Sequence, residues 1–432
     1  MVEAWRWRMI VAQGALAVGL ASALAGGANA QERGSRLEAE LETPPKLPAI
    51  GARLGAFRAF VGGTAGATYD DNIYAQDGAK VDDVYFKLSP NVKVSSDTSR
   101  YKLNLAAGLD RYEYSDRTSE SRTDWNVSGD VLTELLRDTT VSLNSGFRRA
   151  TEERGSPDSP VTAVSPVRYE AFTAGGGFAR EVGRLQARTV VDYQELNYDD
   201  GRRGNGTIIN NDDRDRKTLS GGGELSYSFS PGYRIFARAL LDRVWYRLPV
   251  DDNGYNRDAR GYRLTGGLKF DVTNVIEGGI FAGYMHRSYK DIVFDDYSGI
   301  AYGANVRWAP TRLTTVRFAV NRDVQETTQI GYRGYVSTDF GVRVEHELRR
   351  EITLKLGARY AKNRYLLSSA IPAGGALLHR DDDLYYANAG VDYLLNRQFL
   401  IGLGWDYVKR SSNAVTSDYS RNKIFGFLKV TL

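Results

Sequence analysis

From about residue 55 onward, apolar and polar residues alternate one by one. The run Ile352-Thr353-Leu354-Lys355-Leu356-Gly357-Ala358-Arg359-Tyr360 sets Ile, Leu, Leu, Ala and Tyr on one face and Thr, Lys, Gly and Arg on the other. Residues 336–348 repeat the pattern: Val336, Thr338, Phe340, Val342 and Val344 oppose Ser337, Asp339, Gly341, Arg343 and Glu345. Stretches 262–272, 300–308, 385–395 and 399–407 follow it too. A period of two is the period of a strand, whose successive side chains point to opposite faces of a sheet. No long segment has a helical period.

The breaks between these runs come in two kinds. Short turn signals stand at Asp97-Thr98-Ser99, Arg137-Asp138, Val182-Gly183-Arg184, Ser230-Pro231-Gly232, Thr273-Asn274, Pro310-Thr311-Arg312, Arg349-Arg350 and Asn396-Arg397. Between them lie longer polar segments, at 70–83, 115–122, 153–167, 199–214, 249–259, 291–296, 325–333, 367–383 and 411–421. Short turns on one side and long loops on the other are the pattern of a transmembrane β-barrel. Eight turns and nine loops predict an antiparallel barrel of about 18 strands, within an error of two, with both termini on the short-turn, periplasmic side. In lipid every backbone N–H and C=O needs a partner, so a spanning sheet has to close on itself. Tyr112, Tyr114, Trp125, Trp245, Tyr246, Trp405 and Tyr407 gather near strand ends, where amphipathic rings meet the membrane interface. A soluble propeller or solenoid would repeat a blade motif and lack the loop asymmetry.

Composition narrows the chemistry. The chain of 432 residues has 45 Gly, 27 Tyr, 3 His and no Cys. The missing Cys excludes a disulfide scaffold, a thiolate metal site, a Cys nucleophile and an acylated lipoprotein anchor. Three His disfavour a histidine metal centre, and no cofactor is expected. The mean hydropathy of −0.41 excludes a helical membrane bundle.

The first thirty residues form a basic start (Trp5-Arg6-Trp7-Arg8), an apolar stretch from Met9 to Leu24, and the small residues Ala28-Asn29-Ala30. This is the layout of a secretory signal peptide cleaved before Gln31. Removing it leaves 55 Lys+Arg against 52 Asp+Glu with no basic cluster, so no nucleic-acid partner is expected. Residues 31–54, with Pro44, Pro45 and Pro48, predict a periplasmic tether, and 55–432 the barrel. No plug-sized domain is expected ahead of the barrel, which argues against an energy-coupled receptor.

The first strands and loops carry Ala67-Thr68-Tyr69-Asp70-Asp71-Asn72-Ile73-Tyr74, then Asp82-Asp83-Val84, Leu88-Ser89-Pro90, Ser95, Arg100, Leu103-Asn104-Leu105-Ala106-Ala107 and Tyr112. In these residues the chain resembles the β-barrel porin type 2 family of outer-membrane proteins. The resemblance implies an outer-membrane barrel of a Gram-negative bacterium. Some relatives look like parts of polysaccharide export systems, so export components are among the partners it implies. The last strand, 424–432, is similar to the C-terminal signal read by the outer-membrane assembly machinery; it ends in Leu432 rather than Phe. Outer-membrane lipid and lipopolysaccharide complete the expected surroundings.

Three groups of residues are candidates for function. Paired carboxylates (Asp70-Asp71, Asp82-Asp83, Asp199-Asp200, Asp212-Asp213, Asp251-Asp252, Asp295-Asp296, Asp381-Asp382-Asp383) fall at the loops. There they either bind a divalent cation or are solvated loop ends; Asp favours turns and no twelve-residue calcium loop is present. Alternation places Arg188, Asp192, Arg263, Lys269, Asp271, Arg307, Arg343, Glu345, Lys355 and Arg359 on the lumen face. They either set a field that selects solutes or pair internally and stiffen the barrel. Loop 366–378 is the segment expected to fold inward. Finally, His286 and Ser288 share a lipid-side face near the outer leaflet, as in outer-membrane lipid hydrolases; that chemistry needs a third, base-orienting residue, and Asn305 falls on the opposite face while Asp295 and Asp296 lie in the loop. The sequence therefore predicts a non-enzymatic pore for small solutes or for an exported polysaccharide. The alternatives are a closed barrel acting as surface anchor or adhesin, or a lipid hydrolase built on His286 and Ser288.

Overall fold

The computed structural model describes residues 50–432 apart from 97, 99, 100, 161, 274, 369–378 and 416. The signal segment and nearly all of the tether lie outside the described residues. Eighteen long strands follow one another in the order of the chain. They are β1 (Phe57–Asp70), β2 (Asp83–Ser96), β3 (Tyr101–Tyr114), β4 (Arg122–Leu136), β5 (Thr139–Thr151), β6 (Arg168–Val182), β7 (Leu185–Tyr198), β8 (Arg216–Ser230) and β9 (Tyr233–Tyr246). The second half comprises β10 (Ala259–Val272), β11 (Ile276–Tyr289), β12 (Tyr297–Thr311), β13 (Thr314–Gln325), β14 (Tyr332–Glu347), β15 (Ile352–Leu367), β16 (Asp381–Leu394), β17 (Phe399–Ser412) and β18 (Tyr419–Thr431). Each pairs antiparallel with the next, and β1 pairs with β18 from Gly62↔Thr431 to Asp70↔Lys423, so the sheet closes. The count equals the one that the turns and loops predict. Among the described residues there is no α-helix, and so no helical plug. At the tether's end, Ala52–Leu54 already pairs with Phe57–Ala59.

The connections alternate in length as the sequence predicts. Turns 137–138, 183–184, 231–232 and 312–313 are two residues long, whereas loops 152–167 and 199–215 are the longest on the opposite end. Gly183 (φ +61°) and Gly232 (φ +77°) supply the left-handed backbone that such tight turns need.

The pleat sorts the two faces. Leu225, Leu241, Ile300 and Leu403 are each at least 60% exposed, and all stand on the convex face. In water each would forgo roughly 1.5–3 kcal/mol of burial; against lipid it does not. The concave face is identified by ion pairs that skip strands: Arg287 of β11 reaches Asp242 of β9, and Arg263 of β10 reaches Asp323 of β13. Such chords cross only the inside of a closed sheet.

One wall departs from regular alternation. Pairing of β12 with β13 ends at Gly303↔Asn321, although both strands continue toward the loop end. Beyond it every residue from Gly334 through Asp339 is buried, on both faces of β14. Val324 and Val336, which share the convex parity of Phe318 and Phe340, pack with Met285 and Ala301, which share the lumen parity of Arg287 and Arg307. The tip of the β13–β14 hairpin is therefore tucked inside the wall formed by β11 and β12. The sequence places Val336 and Thr338 on an outer apolar face; Val336 is 2% exposed because the hairpin bends inward.

Candidate functional site: the lumen and its bridged mouth

Loop 152–167, between β5 and β6, lies across the loop end of the barrel. Its Arg154 pairs with Glu120 of the β3–β4 loop at 2.6 Å, and its Glu152 pairs with Arg214 of the β7–β8 loop at 2.7 Å. Arg410 of β17 donates to the Gly155 carbonyl at 2.9 Å. At its far side Asp158 accepts a hydrogen bond from Thr327, and the Pro157 carbonyl accepts one from Gln329. Thr327 and Gln329 are in the β13–β14 loop, at the tip of the tucked hairpin. In an 18-strand ring β5 and β13 stand eight strands apart, nearly opposite. Two elements from facing walls thus meet and form a bridge across the mouth.

The bridge is anchored on the hairpin side as well. Arg257 pairs with Asp251 at 2.6 Å and donates to the carbonyls of Thr327 and Tyr332 at 2.7 and 2.9 Å. Arg380 pairs with Asp382 at 2.7 Å and donates to Gln329 at 2.6 Å. Of the expected inward loop, 366–378, residues 369–378 lie outside the described residues; the described loop that crosses the mouth is 152–167. Its three prolines and charged start (Glu152-Glu153-Arg154) were the available signal, but they read equally well as a solvated loop.

The motif that carries the family resemblance has a structural job at this end. Asp70, on β1, is fully buried and accepts from Arg421 of β18 at 2.8 Å. Asp71 accepts from the backbone N–H and side-chain amide of Asn422 at 2.6 and 2.7 Å. Asn72, also fully buried, donates to the carbonyls of Gln76 and Ser420 at 2.8 and 2.9 Å. Ile73 packs with Tyr85 and Tyr114, and the Tyr74 ring lies 5.5 Å from the Arg154 guanidinium. Tyr69 faces outward. The patch stitches the first strand to the last and holds loop 152–167 against the seam.

The ten lumen candidates sort as follows. Lys355 pairs with Asp392 at 2.5 Å, Arg359 with Asp339 at 2.6 Å, Arg307 with Glu277 at 3.4 Å and Arg343 with Glu345 at 3.2 Å. Arg263 pairs with Asp323 and Lys269 with Glu224. Arg188 lies opposite Glu224 in register, Asp192 is buried opposite Gly175, and Asp271 is exposed near the turn end. The carboxylate partners Glu224, Glu277, Asp323, Asp339 and Asp392, and the cations Arg238 and Arg317, were missed from sequence. Cross-strand register, which single-strand alternation does not contain, is what pairs them.

The acidic loop pairs are used internally. Asp83 accepts from the N–H groups of Asp116 and Arg117, Asp199 pairs with Arg149, Asp212 with Arg247 and Asp295 with Arg333. Among the described residues no group of three or more candidate ligands is arranged to hold a metal ion. Burial, with Asp252 nearby, pushes the Asp213 carboxyl up to about 6. Glu153 behaves oppositely: Lys423, backed by Arg421, Arg122 and Lys87, holds its carboxyl below the usual range against the effect of burial. Those four cations line the lumen on β2, β4 and β18, so Glu153 projects from the bridge toward a basic wall.

His286 and Ser288 both face outward, but the structure does not bring them together. Ser288 accepts from Arg260 at 3.1 Å. His286 Nδ1 lies 2.9 Å from Ser298 Oγ on β12, its Nε2 lies 3.7 Å from Asp296, and Tyr262 covers the ring at 5.2 Å. The second distance is too long for a hydrogen bond.

One protein family, described as "Putative beta-barrel porin 2", matches residues 44–432. No curated protein matches the chain. Among solved structures, the siderophore receptor PiuA from Acinetobacter baumannii is similar at 9% identity and a TM-score of 0.47, over 88% of this chain and 82% of that one. The siderophore receptor PirA from the same organism is similar at 10% identity and 0.44, over 86% and 80%. A ferric enterobactin receptor mutant from Pseudomonas aeruginosa is similar at 10% identity and 0.45, over 86% and 80%. At these scores the likeness carries no function across.

Proposed function

The chain belongs to the beta-barrel porin 2 family, and from that premise we propose that it is an outer-membrane pore whose mouth is narrowed by the 152–167/β13–β14 bridge. The observation that carries the reading is the lumen face. A closed 18-strand barrel lined by ion pairs and crossed at one end by an inward loop supports a reading in which water and small solutes pass beside the crossbar. Export follows from residues 1–30 acting as a signal peptide, with insertion guided by the last strand. In this reading passage is by diffusion; coupling to the export of an extracellular polysaccharide is the variant that the family resemblance favours.

Single-channel recording of the refolded chain in a planar lipid bilayer tests it. Stable open steps are expected. A folded barrel that stays silent overturns the pore and favours a closed anchor. The hydrolase alternative now rests on Ser298, His286 and Asp296 rather than on Ser288. A pore keeps its conductance in Ser298→Ala, whereas an ester hydrolase loses turnover of a phospholipid substrate in that variant.

A further inference from the structure

Three arginines stand side by side on the lumen face near the turn end. Arg307 of β12 is directly opposite Arg317 of β13, and Arg317 is directly opposite Arg343 of β14. All three lie within four residues of the turn ends of their strands. Like charges directly opposed across strands destabilise a sheet, and with strands about 4.8 Å apart these guanidiniums crowd one short row. The carboxylates beside the row on the same face are Glu277, opposite Arg307, and Glu345 and Glu347, one and two pleats below Arg343; they flank the row and do not separate its three like charges. On the far side of Arg343 the row continues with Gly357, which brings no side chain.

A second cluster of cations sits at a similar depth a few strands away. Glu224 is shared by Arg238 at 2.9 Å and by Lys269, and Arg188 is opposite it. Asp271 is the remaining carboxylate on the arc between the two groups. At the loop end, by contrast, five buried arginines, Arg154, Arg214, Arg257, Arg380 and Arg421, each pair with a buried carboxylate.

We propose that the Arg307–Arg317–Arg343 row is a binding rung for oxyanions, so that the pore admits solutes carrying carboxylate or phosphate groups. This rests on the pore reading above. Guanidinium chemistry suits such a rung, being planar, always charged, and able to bind an oxyanion through two parallel N–H donors. A bound oxyanion lying between neighbouring arginines removes the repulsion that the row otherwise sustains. The flanking Glu277 and Glu345 keep the arginines extended and the binding shallow, which a conducting site needs so that the ion also leaves.

The test is the reversal potential of the refolded chain in a potassium chloride gradient, followed by addition of inorganic phosphate and, separately, succinate. Anion preference and block by phosphate are expected; block by succinate as well assigns the site to oxyanions in general, and block by phosphate alone to phosphorylated solutes. The triple variant Arg307→Gln, Arg317→Gln, Arg343→Gln should lower the anion preference by about threefold and abolish the block. Arg317→Lys should keep the ion preference and weaken the block, because it retains the charge and loses the fork. Heat-modifiable migration on a gel establishes that each variant folds. An open pore that prefers cations, or a triple variant with unchanged preference and block, overturns the rung while leaving the pore standing. If the barrel is silent the pore reading fails instead. The rung is then decided by phosphorus NMR line broadening of phosphate with the detergent-folded protein, present in the native chain and lost in the triple variant if the rung exists, and absent from both if it does not.

Discussion

The two ends of this barrel use the same charged residue types under opposite rules. At the loop end, Glu120–Arg154, Glu152–Arg214, Asp251–Arg257, Asp382–Arg380 and Asp70–Arg421 are pairs in which neither side chain is more than 10% accessible. Near the turn end, the side chains of Arg307 and Glu277 are 30% and 48% accessible, and like charges face each other across strands. Burial explains the difference. A charge withdrawn from water needs a matched partner, so at the mouth charge is structural. A charge in a wet lumen tolerates mismatch, so near the turns like charges can stand side by side on the lumen face.

The sharpest way to break this contrast is at the seam. Arg421→Ala leaves the fully buried Asp70 carboxylate without its guanidinium, between the first strand and the last. Removing one partner of a buried pair is worth about 3–5 kcal/mol. The fraction of heat-modifiable, folded barrel after refolding in urea should fall steeply. Arg307→Ala, a charge deletion of the same kind near the turn end, should shift the same urea midpoint by about 1 kcal/mol or less. Equal shifts would mean that the two ends do not differ in kind.

Next in size is the bridge. Asp158→Ala with Gln329→Ala removes the two hydrogen bonds by which loop 152–167 meets the tucked hairpin. At about 1 kcal/mol each, their loss should shift the closed-to-open balance of the mouth by roughly 5- to 30-fold. In bilayer recordings this appears as longer open times or a larger unit step, with ion preference unchanged because the turn-end charges are untouched. A change of ion preference without a change in step would place the filter at the mouth instead.

The unequal legibility of the two ends has the same physical root. Strand number, turn positions and the loop asymmetry were plain in the sequence because closure in lipid forces a period of two and a fixed rhythm of breaks. The lumen parity of Arg343 or Lys355 follows from that rhythm alone. What did not follow were partnerships between strands and loops distant in the chain. Asp70 meets Arg421 only because β1 closes on β18, and Asp158 meets Thr327 only because the β13–β14 hairpin bends inward. Val336 misled for the same reason: its alternation is intact, but a bend set by Met285 and Ala301 turns an outer position into a buried one. Ser288 was paired with His286 by sequence distance, whereas the neighbouring strand delivers Ser298.

The smallest effect concerns a charge at the mouth that burial has left imperfectly matched. The carboxyl of Asp213, in the β7–β8 loop, is pushed up to about 6 from an ordinary value of 3.8 by burial and by Asp252 and Asp251, against the opposing pull of Arg214 and Arg257. The folded state therefore holds its proton more tightly than the unfolded chain does. Protons bound in excess by the folded state make stability fall as pH rises, here from about 4 and on through about 6, levelling off by about 7. Arg214 is committed to Glu152, so the ionised Asp213 gains little from it. Hydrogen exchange of residues 199–215 should accordingly be slower at pH 5 than at pH 7.5, beyond the intrinsic pH dependence of exchange. Asp213→Asn should remove the extra protection by making the loop equally ordered at both values. The carboxyl is partly solvated, so the effect is modest and local, confined to this loop rather than to the whole barrel. An Asn variant that keeps the wild-type pH dependence would assign it to another group. A loop better protected at pH 7.5 would mean that the mouth is matched throughout, with the aspartate stabilised as an anion like its neighbours.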